Sequence, residues 1–133
     1  MASLKSFVEL ARFHRESNSP IDFVIVYIKE AHASDGWKFD AFQYSLVANH
    51  RNINDRLDAI RVMLDLSNIN DEPSISIYSD TMTDYTNHLF RAWPERLYVF
   101  DEHEILYRSG PGPIAYSIPN LQFFLKKLLL DRQ

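Results

Sequence analysis

An α/β layered domain is the fold class that this sequence predicts, and three observations carry the prediction. Residues 22–28, DFVIVYI, form a near-continuous apolar run rich in β-branched side chains, the pattern of a strand buried on both faces. Residues 74–79, SISIYS, alternate apolar and polar, as a second strand does. Segments with apolar residues at helical spacing flank and separate these runs, so the order reads helix, strand, helix, strand, helix, hairpin, helix. At 133 residues the chain is expected to form one domain over 1–133.

Each element has a local reason. Leu4, Phe7, Val8 and Ala11 stand at i, i+3, i+4 and i+7, so residues 2–16 read as an amphipathic helix that Asn18, Ser19 and Pro20 end. After the first strand an irregular stretch runs to about Asn52. INDRLDAIRVMLDL then sets Ile53, Leu57, Ile60 and Leu64 at helical spacing, with Asn52 or Asn54 as its cap. The breaker Pro73 precedes the second strand. DTMTDYTNHLFRAW (80–93) reads as a helix capped by Asp80 or Thr81, with Met82, Tyr85 and Leu89 inward. RLYVFDEHEILYRS reads as a hairpin turning around Asp101 to His103. GPGP (110–113) is a stiff loop. Ser117 caps a last helix with Pro119 in its first turn and Leu121, Phe124, Leu125 and Leu128 inward. The first helix is best suited to cross over between two parallel strands, so a strand is expected ahead of it.

Composition excludes several classes. The net charge of −4 with interspersed signs gives no basic stripe, which argues against nucleic acid as a partner. There is no cysteine, which removes disulfides, thiolate metal sites and cysteine nucleophiles. No apolar run reaches the ~18 residues of a membrane span, so the chain as written reads as soluble. Three glycines, Gly36, Gly110 and Gly112, cannot build a phosphate-cradling loop. His14, His88 and His103 show no paired ligand spacing, so no metal site is expected, and all three read as exposed.

Ionisable groups crowd the end of the first strand. In open α/β sheets ligands bind beyond the carboxyl ends of strands, and Glu30 and His32 stand at such an end. Two residues apart on extended backbone, they share a face. A carboxylate beside an imidazole favours the imidazolium, which could deliver a proton near neutral pH. Each residue also has an ordinary reading. Glu30 and His32 can be a surface pair, Ser34-Asp35-Gly36 a turn, Trp37 a core residue, and His50-Arg51 a solvated helix start. Tyr27 can be a packing residue whose hydroxyl reaches a polar rim. Asp55, Arg56, Asp58 and Arg61 read as a solvated helix face with i, i+3 pairs.

YIKEAHASDGW (27–37) resembles the hallmark segment of the iodothyronine deiodinases, which reads much like YIEEAHASDGW. NHRNINDRLDAIRVM (49–63), SDTMTDYTNHLFRAWPERLYVF (79–100) and ILYRSGPGPIAY (105–116) resemble further segments of that family in the same order. The resemblance implies a thioredoxin-like fold, a mixed sheet flanked by helices, lacking here its first core strand, the active-site strand. That strand is expected between strand 22–28 and either strand 74–79 or strand 96–100. It implies reductive removal of iodine from thyroid hormone or related iodophenols, with a selenocysteine nucleophile, a thiol reductant as co-substrate and no bound cofactor. It assigns Glu30 and His32 to a proton relay, His50 to a second active-site histidine, and Tyr27, Trp37, Gly110 and Pro111 to the substrate site. Two departures stand out: Lys29 replaces a usual acid, and Pro111 stands where some members carry a base.

The family's nucleophile lies in a motif like S-C-T-selenocysteine-P-P-F-M, and Met1-Ala2-Ser3-Leu4 resembles the methionine and helix start at the end of that motif. The expectation is a gene model started after a UGA codon read as stop, which a sequence without UGA or a thioredoxin-like strand upstream would refute. The chain as written is then expected to be inactive. The intact protein would be a homodimer anchored by an N-terminal membrane helix, as the family implies. The alternatives are a nucleophile-less thioredoxin-like binding or scaffold module, or a thioredoxin-fold peroxidase.

Overall fold

A computed structural model describes residues 2–31, 33, 34 and 47–133. Among these residues the architecture is mixed α/β, with four helices and two two-stranded sheets. The chain divides into two compact units, Asp22–Pro94 and Met1–Ile21 with Glu95–Gln133.

In the first unit, β1 (Phe23–Tyr27) and β2 (Ile75–Ser79) pair in parallel, with Phe23 opposite Ile75 and Tyr27 opposite Ser79. The Asp80 N–H extends the ladder by donating to the Tyr27 carbonyl at 2.8 Å. Direct pairing of these strands overturns one of the two expected placements of the active-site strand, since nothing can lie between them. The expectation of burial on both faces is also corrected. Phe23 is buried, but Val24 and Val26 are 47% and 37% exposed. The β-branched residues favour extended backbone whichever way they point, so the apolar run reports strand propensity more than two-sided burial.

Helix α2 (Ile53–Ser67) links the two strands and packs on β2. Its cap is Asn52, whose side chain accepts the Asp55 N–H at 2.9 Å, and it stops at Asn68 in the left-handed region. The buried face matches the expected one only at Ile60. Ile53 and Leu57 are exposed, whereas Arg56, Ala59, Ile60 and Ser67 are buried. Arg56, expected on a solvated face, is 2% exposed. Asp58 and Arg61 do form the expected exposed i, i+3 pair.

The third helix is shorter than its pattern suggests. Only Tyr85–Phe90 (α3) is helical, bracketed by left-handed Asp84 and Arg91. Asp80 and Thr81 do cap it, but from outside the N-cap position. The Asp80 carboxylate accepts the N–H groups of Thr86 and Asn87, and Thr81 Oγ1 accepts that of Tyr85. Met82, Tyr85 and Leu89 are exposed rather than inward. The buried residue is Asn87, whose Oδ1 accepts the Trp93 N–H at 2.9 Å. Hydrogen bonding, not apolar burial, sets which side of this single turn and a half faces in.

In the second unit, α1 (Ala2–Glu16) and α4 (Ile118–Asp131) pack together, and β3 (Tyr98–Phe100) pairs antiparallel with β4 (Ile105–Arg108). Val8 and Ala11 are buried on α1 as expected. So is His14, against the expectation of an exposed ring; it is 4% exposed and its Nδ1 lies 3.0 Å from Ser19 Oγ. The hairpin turn is held by Asp101 Oδ1, which accepts the N–H groups of His103 and Glu104. Ser117 caps α4, and Leu121 and Leu125 form its core contacts, with Phe124 against Tyr107.

Candidate functional site

The first unit gathers its polar groups where β1 ends. Tyr27 is the last strand residue, and its hydroxyl donates to Glu30 Oε1. Beyond Glu30, the Ser34 N–H donates to the Val47 carbonyl at 2.9 Å, which ties this segment to the one that leads into α2. That lead-in carries His50. It is held in place by the Asn52 cap and by Asp55, whose carboxylate accepts the Arg51 N–H at 3.0 Å. The same backbone bond, with the Arg51 side chain, holds the half-exposed Asp55 carboxyl below the ordinary carboxylate range.

His50 therefore lies against Tyr27, with ring centroids 5.8 Å apart. Its Nε2 is 3.5 Å from Glu30 Oε1, the oxygen that also accepts the Tyr27 hydroxyl. The ordinary reading of a solvated helix start holds for Arg51 and not for His50, whose side chain is only 1% exposed. Burial, reinforced by the Arg56 cation, pushes the imidazole pKa below its ordinary 6.5 and outweighs the opposing pull of Glu30. Burial and the Glu30 charge push the Tyr27 hydroxyl the other way, well above 10.

Arg56 is the member of this cluster that sequence pattern does not reveal. Its Nε–H donates to His50 Nδ1 at 2.9 Å. Its Nη1 donates to the carbonyls of Asp80 (3.2 Å) and Thr81 (2.8 Å), and Nη2 reaches Asp84 Oδ1 at 3.4 Å. One guanidinium thus joins the lead-in to α2, α2 itself and the turn after β2. The available signal is positional: Arg56 shares a stripe with Ala59, Ile60, Met63 and Ser67. Asp80, 1% exposed, is the anchor of the turn itself. Burial alone would raise its pKa, but the N–H groups of Asn87, Thr86 and Thr81 outweigh burial and hold it below 3.8.

Of the expected site residues, the structure brings together Tyr27, Glu30 and His50. His32 and Trp37, with Asp35 and Gly36 of the same motif, lie outside the described residues. Lys29, the first departure from the family pattern, holds its ammonium 5.8 Å from the centre of the Trp93 ring. Gly110 and Pro111 belong to the other unit, in the loop after β4. There the Gly112 N–H donates to the Glu95 carbonyl at 2.9 Å, and Ser109 Oγ accepts the Leu97 N–H. Among the described residues no group of three or more acidic or histidine side chains is placed to hold a metal. None of their helices is long and apolar enough to cross a membrane.

A family model described as iodothyronine deiodinase matches residues 1–129. The chain belongs to the iodothyronine deiodinase family. It is 34% identical over 127 residues to the thyroxine 5-deiodinase of Ovis aries, covering 96% of this chain and 40% of that protein. The corresponding enzyme of Homo sapiens is 33% identical over 127 residues, covering 96% and 39%. That of Gallus gallus is 37% identical over 125 residues, covering 94% and 45%. The chain thus spans about two-fifths of the length of the curated relatives it matches. Membership in this deiodinase family implies a thioredoxin-like fold, and the parallel β1–β2 pair with its linking helix is compatible with one.

Proposed function

We propose that this chain supplies the proton-handling and substrate-orienting part of a reductive deiodinase site for iodothyronines or related iodophenols. The observation that carries the reading is the Tyr27–Glu30–His50 cluster at the carboxyl end of a parallel strand pair, in a deiodinase-family chain. The net reaction is Ar–I + 2 R–SH → Ar–H + R–S–S–R + HI. The C–I bond breaks, the ring carbon gains a proton, and two thiols are oxidised. A selenolate outside these 133 residues would take the iodine; the chain itself contains no cysteine.

The roles of the chain's own residues derive from their chemistry. His32 donates the proton that the ring carbon needs, or anchors the phenol oxygen, and Glu30 orients it. Tyr27 keeps its hydroxyl proton at any physiological pH and so serves as a fixed donor and a wall of the site. His50 sits behind Glu30. Trp37, Gly110 and Pro111 are the proposed substrate contacts, and a base-to-proline exchange at Pro111 would alter which iodophenol is preferred. The finer fold accords with the same reading: a mixed thioredoxin-like sheet over 1–133, with a further strand along the edge of β1 opposite β2. Among the described residues, β2 is the one strand that joins β1 in its sheet. The full protein is proposed to be a homodimer, regenerated by a thiol reductant, and the 133 residues alone to be inactive.

The test is a protein carrying selenocysteine ahead of residue 1, assayed for iodide release with a thiol reductant. His32→Ala should lower turnover at least ~100-fold, the usual scale of a lost general acid, with the urea midpoint nearly unmoved. Parallel loss of activity and stability would make His32 structural. Turnover of hydroperoxide in place of iodophenol would favour a peroxidase.

A further inference from the structure

Arginine has no acceptor and stays protonated at all accessible pH. Where its N–H points at an imidazole nitrogen, that nitrogen must offer a lone pair. The Arg56 Nε–H points at His50 Nδ1 over 2.9 Å, so the single ring proton of neutral His50 resides on Nε2. Protonating Nδ1 would set two N–H groups against each other beside a buried cation. Arg56 cannot easily turn away, because its other nitrogens are spent on the Asp80 and Thr81 carbonyls and on Asp84. The opposite ring nitrogen, Nε2, is buried and has no hydrogen-bond partner among the described residues, and it lies 3.5 Å from Glu30 Oε1.

We propose that Arg56 is a positioning residue of the deiodinase site: by occupying the Nδ1 lone pair it confines His50 to the neutral Nε2–H form, a fixed hydrogen-bond donor toward Glu30 rather than a carrier of a mobile proton. The charged and titratable groups around the ring agree. Tyr27 comes from β1, Glu30 from the segment after it, and Arg56 and Asp55 from α2. Desolvation comes first among their effects and the Arg56 cation adds to it, while Glu30 and Asp55 act against it without prevailing. The proton that reaches the substrate then comes from elsewhere, which leaves that task to His32. What the Nε2–H serves rests on the proposed function; the state of the ring does not.

The experiment is a long-range ¹H–¹⁵N spectrum of the 133-residue chain labelled with ¹⁵N-histidine, with the His50 signals assigned by their loss in His50→Gln. We expect Nδ1 to show the shift of an unprotonated acceptor and Nε2 that of N–H, unchanged from pH 8 to pH 5.5. Arg56→Met should abolish that Nδ1 signature and let His50 take up a proton within that pH range. Arg56→Lys keeps the charge but cannot hold the ring and both carbonyls at once, and should restore the signature only in part. A protonated Nδ1 in the unaltered chain anywhere in that pH range overturns the proposal even if the Arg56 variants fail to fold. An unchanged ring in Arg56→Met overturns it too. The expected spectra in a selenocysteine-bearing protein that releases no iodide would sink the functional reading and leave the Arg56 assignment standing.

Discussion

Removing the Asp80 carboxylate should loosen the first unit by an amount that the structure allows to be worked out. Its two oxygens accept three backbone N–H groups: Thr81 at 2.8 Å, Thr86 at 2.9 Å and Asn87 at 3.0 Å. In Asp80→Ala all three donors lose their partner. A buried donor left unpaired costs about 1–3 kcal/mol, and partial exposure lowers the figure. The Asn87 N–H is buried and belongs near the upper end; those of Thr81 and Thr86 can reach water and belong near the lower. Relief of the carboxylate's own desolvation offsets part of the sum, leaving ~3 kcal/mol. With a urea slope of roughly 1–3 kcal/mol per molar, the midpoint followed by circular dichroism should fall by about 1–3 M. Asp80→Asn, which keeps one oxygen and sets an amide against the Asn87 N–H, should lose somewhat less. The charge adds a pH signature. Asp80 has a folded pKa below its unfolded value, so its contribution is complete above about pH 4 and is lost as pH falls through the folded value. The gap between the native chain and Asp80→Asn should therefore narrow under strong acid. A midpoint for Asp80→Ala within about 0.2 M of the native chain, or a gap indifferent to pH, would refute this account of the turn.

The remaining predictions concern pH and the loop after β4. Burial lowers the pKa of both His14 and His50, so the unfolded chain takes up protons first as pH falls below about 6.5. The stability they support is full above that pH and lost as pH falls through their folded values; urea midpoints should decline from pH 7.5 to pH 5, and less so in His14→Gln/His50→Gln. A midpoint that is flat across this range would contradict the assignment of both rings as buried and neutral. In the loop, a Cβ on Gly110 would lie 2.3 Å from Ala115 Cβ, whose position the backbone dictates. One on Gly112 would meet the side chain of exposed Glu95, which can swing aside. Gly110→Ala should thus cost about 1–3 kcal/mol and Gly112→Ala clearly less, as differential scanning calorimetry would show; equal losses would mean that the loop yields as a whole.

Local chemistry was legible wherever a residue acts on its sequence neighbours. Asn52 and Ser117 cap α2 and α4 through bonds to N–H groups three residues on, and Asp101 closes the hairpin turn within three residues. Apolar spacing located α1 and α4 together with buried Val8, Ala11, Leu121 and Leu125. The same spacing misled at α2 and α3, where buried polar residues take the inward side. Arg56 and Asn87 each satisfy partners that the helical period cannot register.

The sequence by itself determined the order of elements, their caps and turns, and the family, because these depend on short-range bonds and on ordered motifs. It also placed Tyr27 and Glu30 at one strand end, three residues apart. Only the tertiary structure decided that Arg56 is buried, that His50 is its acceptor, and that Asp80 gathers three amides. The Arg56 partners at Asp80, Thr81 and Asp84 lie 24 to 28 residues further along the chain. A guanidinium can leave water only where enough acceptors converge on it, and convergence over such distances belongs to the packed chain, not to any window of its sequence.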